Sequence, residues 1–257
     1  MAQIIFFGTC AGTEPMKNMH HASFAIEKDG YYYWFDAGEG CSRTAHLMGV
    51  DMSKVKSIFI SHPHIDHLGG FMNVIYTIWK IGVMKNTLPP DKKIDFYMSD
   101  MELWERFKAV MHGMDLKWEK WFDINSHAIT DGIIYEDENI SVEAVHNHHM
   151  PPTENLKYRS YSFRVKIDGK TVVCSGDVRD MEDIERVIGD GCDYLIMETG
   201  HHKIKDVCDV ADRLNVGKLI FSHNGRAIIN DIEAAKEEMK SCTKNPIIAE
   251  DRMIIEI

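Results

Sequence analysis

Between positions 58 and 70 the chain reads Ile58-Phe59-Ile60-Ser61-His62-Pro63-His64-Ile65-Asp66-His67-Leu68-Gly69-Gly70. Three imidazoles and a carboxylate fall within six positions, directly after an apolar run and just before a glycine pair. The apolar run suits a buried strand. Ionisable side chains crowded at the end of such a strand need water or a cation as a partner. Side chains alternate along extended backbone, so His62 and His64 share one side. Asp66 and His67 lie past the turn and face elsewhere, which serves two ions more easily than one. Mixed nitrogen and oxygen ligation suits Zn²⁺, Mn²⁺ or Fe²⁺ and is common in hydrolytic centres.

Four more motifs place ligand-type residues after strands. Asp36 ends Trp34-Phe35-Asp36-Ala37-Gly38. Ser141 to Val145 leads to three candidates, His146, His148 and His149, the last next to Met150-Pro151. Val172-Val173-Cys174-Ser175-Gly176-Asp177 and Leu219-Ile220-Phe221-Ser222-His223 complete the set. Taken in order, these five motifs resemble the signature of the metallo-β-lactamase superfamily of metal-dependent hydrolases.

Within that superfamily the chain most resembles the branch of ribonuclease Z, the tRNA 3′-processing endonuclease. Ile4-Ile5-Phe6-Phe7-Gly8-Thr9-Cys10-Ala11-Gly12-Thr13 is similar to the branch's first strand and Gly-Thr loop, and Glu198-Thr199-Gly200-His201-His202 to its Glu-Ala-Thr stretch with a further histidine. The resemblance implies two divalent cations, expected to be Zn²⁺ with Mn²⁺ or Fe²⁺ as alternatives. His62, His64 and His149 would hold the first; Asp66, His67 and His223 the second; Asp177 would bridge them. His148 is the runner-up to His149. Paired cations would ionise a bridging water, Asp66 would orient it or take its proton, and His202 would protonate the leaving oxygen. Asp36 would orient a ligand histidine, or simply occupy a turn. Arg226 would meet an anionic group on the substrate, or lie on the surface.

The chain departs from the branch in three places. Only 27 positions separate His149 from Asp177, which leaves space for a hairpin and not for the long Gly/Pro-rich arm that grips tRNA. Val178 stands where Thr is usual, and the spacing from His223 to Arg226 is unusual.

The net charge of −11 disfavours bulk binding to nucleic acid, because an acidic surface repels a phosphate backbone. A small phosphodiester remains compatible, since the cations supply local positive charge. The six cysteines are scattered singly, the pattern of free buried thiols in a reducing compartment; Cys10 and Cys41 alone lie close to candidate site loops. Met1 leads straight into a strand, and no apolar stretch is long enough to span a membrane. A cytoplasmic protein is expected.

Strands are expected at 3–7, 23–28, 31–35, 57–60, 93–98, 141–145, 161–167, 171–174, 194–198 and 218–221, with hairpin turns at Asp29-Gly30 and Asp168-Gly169. Helices are expected at 41–47, 68–80, 100–112, 181–188, 204–214 and 229–240. No linker divides the chain, so residues 1–257 are expected to form one hydrolase domain. The fold class expected is α/β (α+β), an αββα four-layer sandwich of two mixed sheets flanked by helices. Four of the five tryptophans lie between Phe71 and Phe122; core packing is the first reading, and a wall over the site or a subunit interface the second.

The function expected is a dinuclear metal-dependent phosphodiesterase acting on a small molecule, as a possible homodimer. The alternatives are a tRNA 3′-endonuclease, a hydrolase of a lactone or thioester carbonyl, and a non-catalytic metal-binding sensor.

Overall fold

The structure is a computed structural model that describes residues 1–257. Its first ten elements are β1 (Gln3–Gly8), β2 (Ser23–Lys28), β3 (Tyr31–Phe35), α1 (Cys41–Leu47), β4 (Val55–Phe59), α2 (Ile65–Leu68), α3 (Phe71–Lys85), β5 (Lys93–Met98), α4 (Met101–Gly113) and β6 (Asp123–Ala128). Then come β7 (Gly132–Glu136), β8 (Ile140–Asn147), β9 (Ser160–Ile167), β10 (Lys170–Cys174), α5 (Met181–Ile188), β11 (Cys192–Glu198) and α6 (Ile204–Arg213). The chain ends with β12 (Val216–Ser222), α7 (Arg226–Ile229), α8 (Ile232–Met239), β13 (Ile247–Ile248) and β14 (Ile254–Glu256). None of the helices is long and apolar enough to cross a membrane.

The chain divides into two compact units. The first comprises Met1–Gly8, His20–Ile129 and Asp251–Ile257, and the second Thr9–Met19 and Thr130–Glu250. Each unit holds one seven-stranded mixed sheet, in the order β14-β1-β2-β3-β4-β5-β6 and β13-β12-β11-β10-β9-β8-β7. Two mixed sheets with flanking helices are the fold class that the sequence implied.

In the first unit, Asp29 and Gly30 take φ of 51° and 81° and join β2 to β3. Two successive left-handed residues form the turn whose twist matches paired antiparallel strands. Phe7 and Trp34 pack with ring centroids 4.4 Å apart, and Phe71 and Phe96 lie 4.5 Å apart in the same core. Trp104 and Trp118 are each only 1% exposed, so most of the tryptophan-rich stretch is core, whereas Trp121 is 40% exposed.

The single helix expected at 68–80 is two. It stops at Leu68 and restarts at Phe71 because Gly69-Gly70 lies against another backbone segment. Gly70 N–H donates to Ala37 O at 2.7 Å. A Cβ on Gly70 would stand 2.2 Å from Gly38 O, so no larger residue fits there unless the backbone moves. The helix expected at 229–240 also breaks, where the Asp231 side chain accepts from Ala234 N at 2.9 Å and caps α8.

The second unit has its own core of strand and helix residues, including Val173, Leu195, Leu219, Phe221, Ile184 and Val207. Asp168 and Gly169, with φ of 49° and 75°, turn β9 into β10. This hairpin fills most of the space between His149 and Asp177.

Strand direction places the site. β3 and β4 are parallel neighbours, so Asp36 and Ser61 leave their strands side by side. In the second unit β10, β11 and β12 are parallel. β8 runs with them, because β9 is antiparallel to both β8 and β10. Four carboxyl ends therefore present residues 147–149, 175–177, 198–201 and 222–223 at one edge of that sheet, where open α/β sheets bind ligands.

Candidate metal centre

In the first unit the centre is built on Asp36. Its carboxylate accepts from Ser61 N at 2.7 Å, from Ser61 Oγ at 2.8 Å and pairs with His67 Nδ1 at 2.7 Å. A carboxylate only accepts, so the His67 proton sits on Nδ1 and the Nε2 lone pair is available to a cation. Asp36 adopts φ of 54°, a left-handed conformation that Asp tolerates better than most residues. Residue 36 thus pairs with a candidate ligand histidine.

His62 and His67 are each 1% exposed, and Asp66 is also buried. His62 Nε2 and His64 Nδ1 are 3.0 Å apart, so the two rings converge on one point as their shared side implied. Asp66 and His67 follow in α2, and His67 Nε2 lies 3.6 Å from Asp66 Oδ2. His67 N and Leu68 N both donate to His64 O at 3.0 Å, which winds the ligand loop into one tight turn.

In the second unit Asp177 is the hub. Its Oδ2 lies 3.7 Å from His149 Nε2 and its Oδ1 lies 3.4 Å from His223 Nε2. Each oxygen of one buried carboxylate thus faces a different imidazole. His223 has φ of 49°, and a Cβ on Gly200 would meet its Nδ1 at 2.7 Å. Only a glycine lets the 198–201 loop approach this ring so closely.

The three histidines of the third motif take different partners. His146 Nδ1 pairs with Asp131 at 2.7 Å and His148 Nδ1 with Asp183 at 2.7 Å, whereas His149 faces Asp177. Burial pushes the Asp183 carboxyl up, but hydrogen bonds from the His148 backbone and ring outweigh it. The net effect holds Asp183 below the usual carboxylate range.

Two residues join that the sequence reading did not name as ligands. Glu198 and His201, with His223, bring donor atoms within 4.8 Å of one another. Glu198 is buried at the end of β11, accepts from His201 N at 2.9 Å and pairs with His201 Nδ1 at 3.1 Å. A carboxylate closing an apolar strand and followed by paired histidines was the available signal. His202 stands beside them, its Nε2 3.0 Å from Val178 O and 3.4 Å from Glu198 Oε1. Arg226 opens α7 and is paired with Glu14, whose carboxyl is held low first by its own backbone hydrogen bond and then by Arg226.

The donor set fits divalent cations. Every one of His62, His64, Asp66, His67, His149, Asp177 and His223 belongs to a group of His and carboxylate side chains suited to hold a metal ion. Burying this many carboxylates together is unfavourable without a counter-cation. The Asp36–His67 pair is the arrangement that metal-ligating histidines ordinarily carry.

Known proteins resemble the chain over its whole length. Ribonuclease Z of Methanosarcina acetivorans is 26% identical over 311 positions, spanning 100% of this chain and 98% of that protein. The metallo-β-lactamase fold protein YhfI from Bacillus subtilis superposes with a TM-score of 0.76 at 17% identity, covering 100% of this chain and 99% of YhfI. Human tRNase Z, short form, gives 0.73 at 19% identity with 99% of each chain covered. The chain therefore has the metallo-β-lactamase fold and is similar to the ribonuclease Z branch. Residues 2–214 match the family described as Anti-Pycsar protein Apyc1, and the chain belongs to that family.

Proposed function

We propose that this metallo-β-lactamase-fold hydrolase cleaves phosphodiester bonds with two divalent cations. One takes His62, His64 and His149, the other takes Asp66, His67 and His223, and Asp177 is shared. The observation that carries the reading is Asp177, whose two oxygens each face a different ligand histidine. Bound cations of this kind acidify a water and neutralise charge on the phosphate. The chain's own residues do the rest. Asp36 keeps the proton on His67 Nδ1. Asp66 orients the attacking water and takes its proton. His202 has Nε2 committed to Val178 O, so Nδ1 is the ring nitrogen from which a proton passes to the leaving oxygen.

Among phosphodiesters, the relatives favour RNA. Proteins named ribonuclease Z and tRNase Z match along the whole chain, which supports the RNA endonuclease, an alternative in the sequence reading, over a small molecule. A small phosphodiester is the second reading, and specific observations favour it. The alignment to ribonuclease Z runs over 311 positions against 257 residues here, so that relative carries segments this chain lacks. The interval where a tRNA-gripping arm is expected holds only the β9–β10 hairpin. The net charge is −11.

The test is hydrolysis by metal-reconstituted protein of bis(p-nitrophenyl) phosphate, of a tRNA precursor with a 3′ trailer and of cyclic nucleotides. Turnover that vanishes in Asp66→Ala and falls about a hundredfold in His202→Ala is expected. The preferred natural substrate separates the two readings. No turnover of any phosphodiester by protein holding two cations overturns both.

A further inference from the structure

His223 follows β12 directly and stands in a left-handed conformation, with φ of 49°. A residue other than glycine persists in such a backbone only where its surroundings impose it. Those surroundings meet at the next residue. Asn224 is fully buried and is fixed from two sides. On one side is the connection that follows β1. Asn224 N donates to Thr9 O at 2.6 Å, and Asn224 O accepts from Ala11 N at 3.1 Å. On the other side is the residue that follows β13. Asn224 Nδ2 donates to Ala249 O at 3.1 Å, and Ala249 N donates to Phe221 O at 2.7 Å. Ala249 therefore grips the chain at 221 and again at 224, with His223 between the two grips.

The loop after β11 closes a third side. Thr199 N donates to His223 O at 3.3 Å. A Cβ on Gly225 would stand 2.6 Å from Thr199 O and 2.8 Å from Gly200 Cα. Backbone packed this closely leaves the 223–225 segment one position while its anchors hold. The anchor that depends on side-chain identity is the Asn224 carboxamide. Its Oδ1 has no hydrogen-bond partner, so the bond to Ala249 O is the side chain's only polar tie. That bond needs a donor. Leucine, of similar size, offers none.

Resting on the two-cation reading above, we infer that Asn224 is a positioning residue, whose carboxamide holds Ala249 and so aims His223 Nε2 at its cation. The residue touches neither the cation nor the substrate and acts through the histidine alone.

Stepwise zinc binding by the full chain, read by competition with a chromophoric chelator, tests the inference in Asn224→Leu. His223→Ala marks the ion that depends on position 223. Val187→Ala truncates the core of the second unit and shows what loss of stability alone does to zinc binding. Urea unfolding of each metal-free variant measures that loss. Asn224→Leu is expected to weaken one of the two ions about 10–100-fold, the scale for losing a group that orients a ligand. It should be the ion marked by His223→Ala, and Val187→Ala should keep both at wild-type affinity. Asn224→Ser, which retains a donor on a shorter arm, should fall between the wild type and Asn224→Leu, and it carries the test where Asn224→Leu does not fold. Both ions held at wild-type affinity in these Asn224 variants, or both weakened alike as in a generally loosened fold, overturn the positioning role. A wild type that binds fewer than two ions overturns the two-cation reading itself, and the positioning role with it.

Discussion

Replacing Asp36 with asparagine should separate folding from metal binding. The carboxylate satisfies three buried donors: Ser61 N, Ser61 Oγ and His67 Nδ1. Asparagine keeps the size and tolerates the left-handed backbone at this position. Its oxygen still accepts from Ser61 N, but its amide group then faces His67 Nδ1. Two donors cannot face each other, so the His67 proton moves to Nε2 and removes the lone pair a cation needs. Loss of such a partner typically lowers metal affinity about 10–100-fold. Asp36→Ala is different. Ser61 Oγ can turn to His62 Nδ1, 3.0 Å away, but Ser61 N–H and His67 Nδ1–H are left buried without an acceptor. At about 1–3 kcal/mol each, the expected loss is about 2–6 kcal/mol of stability. Urea unfolding of metal-free protein and zinc competition against a chromophoric chelator measure the two effects. Wild-type zinc affinity in Asp36→Asn, or wild-type stability in Asp36→Ala, would refute the reasoning.

Gly70→Ala should destabilise the chain by about 1–3 kcal/mol or more, because the new Cβ meets Gly38 O at 2.2 Å; thermal unfolding would show it, and an unchanged Tm would contradict the close packing. Asp183 is held below its ordinary value in the fold, so its contribution is present above the unfolded pKa of about 3.9 and is lost as pH falls through the lower folded value. Urea midpoints measured across that acid range should fall less steeply in Asp183→Asn than in the wild type. All six cysteines are buried and unpaired as disulfides, and burial pushes the Cys41 and Cys192 thiols up to about 12. Native protein should thus react with a thiol reagent far more slowly than urea-unfolded protein, and rapid labelling of Cys41 would be inconsistent with this packing.

The strands that the sequence reading identified are those whose apolar alternation is strong. The four it omitted, β6, β7, β13 and β14, are the outer strands of the two sheets. An edge strand buries less, and β6 reads Asp-Ile-Asn-Ser-His-Ala, with Ile124 its one large apolar residue. Helix breaks at Gly69-Gly70 and Asn230-Asp231 were missed because the first depends on contact with Ala37 and Gly38. Among candidate site residues, strand-end motifs pointed to His62, His64, Asp66, His67, Asp177 and His223, all of which fall in candidate metal-binding groups. The choice among His146, His148 and His149 depends on carboxylates far away in sequence, Asp131, Asp183 and Asp177, which spacing does not reveal. Glu198 and His201 were visible as a motif, but their shared contact exists only once β11 delivers them.

The most direct test of the two-cation account is to restore zinc stepwise to chelated protein and follow bis(p-nitrophenyl) phosphate hydrolysis against metal bound per chain, in the wild type and in Asp177→Asn. The account predicts turnover that climbs until two ions are bound, and an Asp177→Asn variant that holds fewer ions and turns over little. Full turnover with one ion, or an Asp177→Asn variant indistinguishable from the wild type, would contradict a shared carboxylate at the centre of the site.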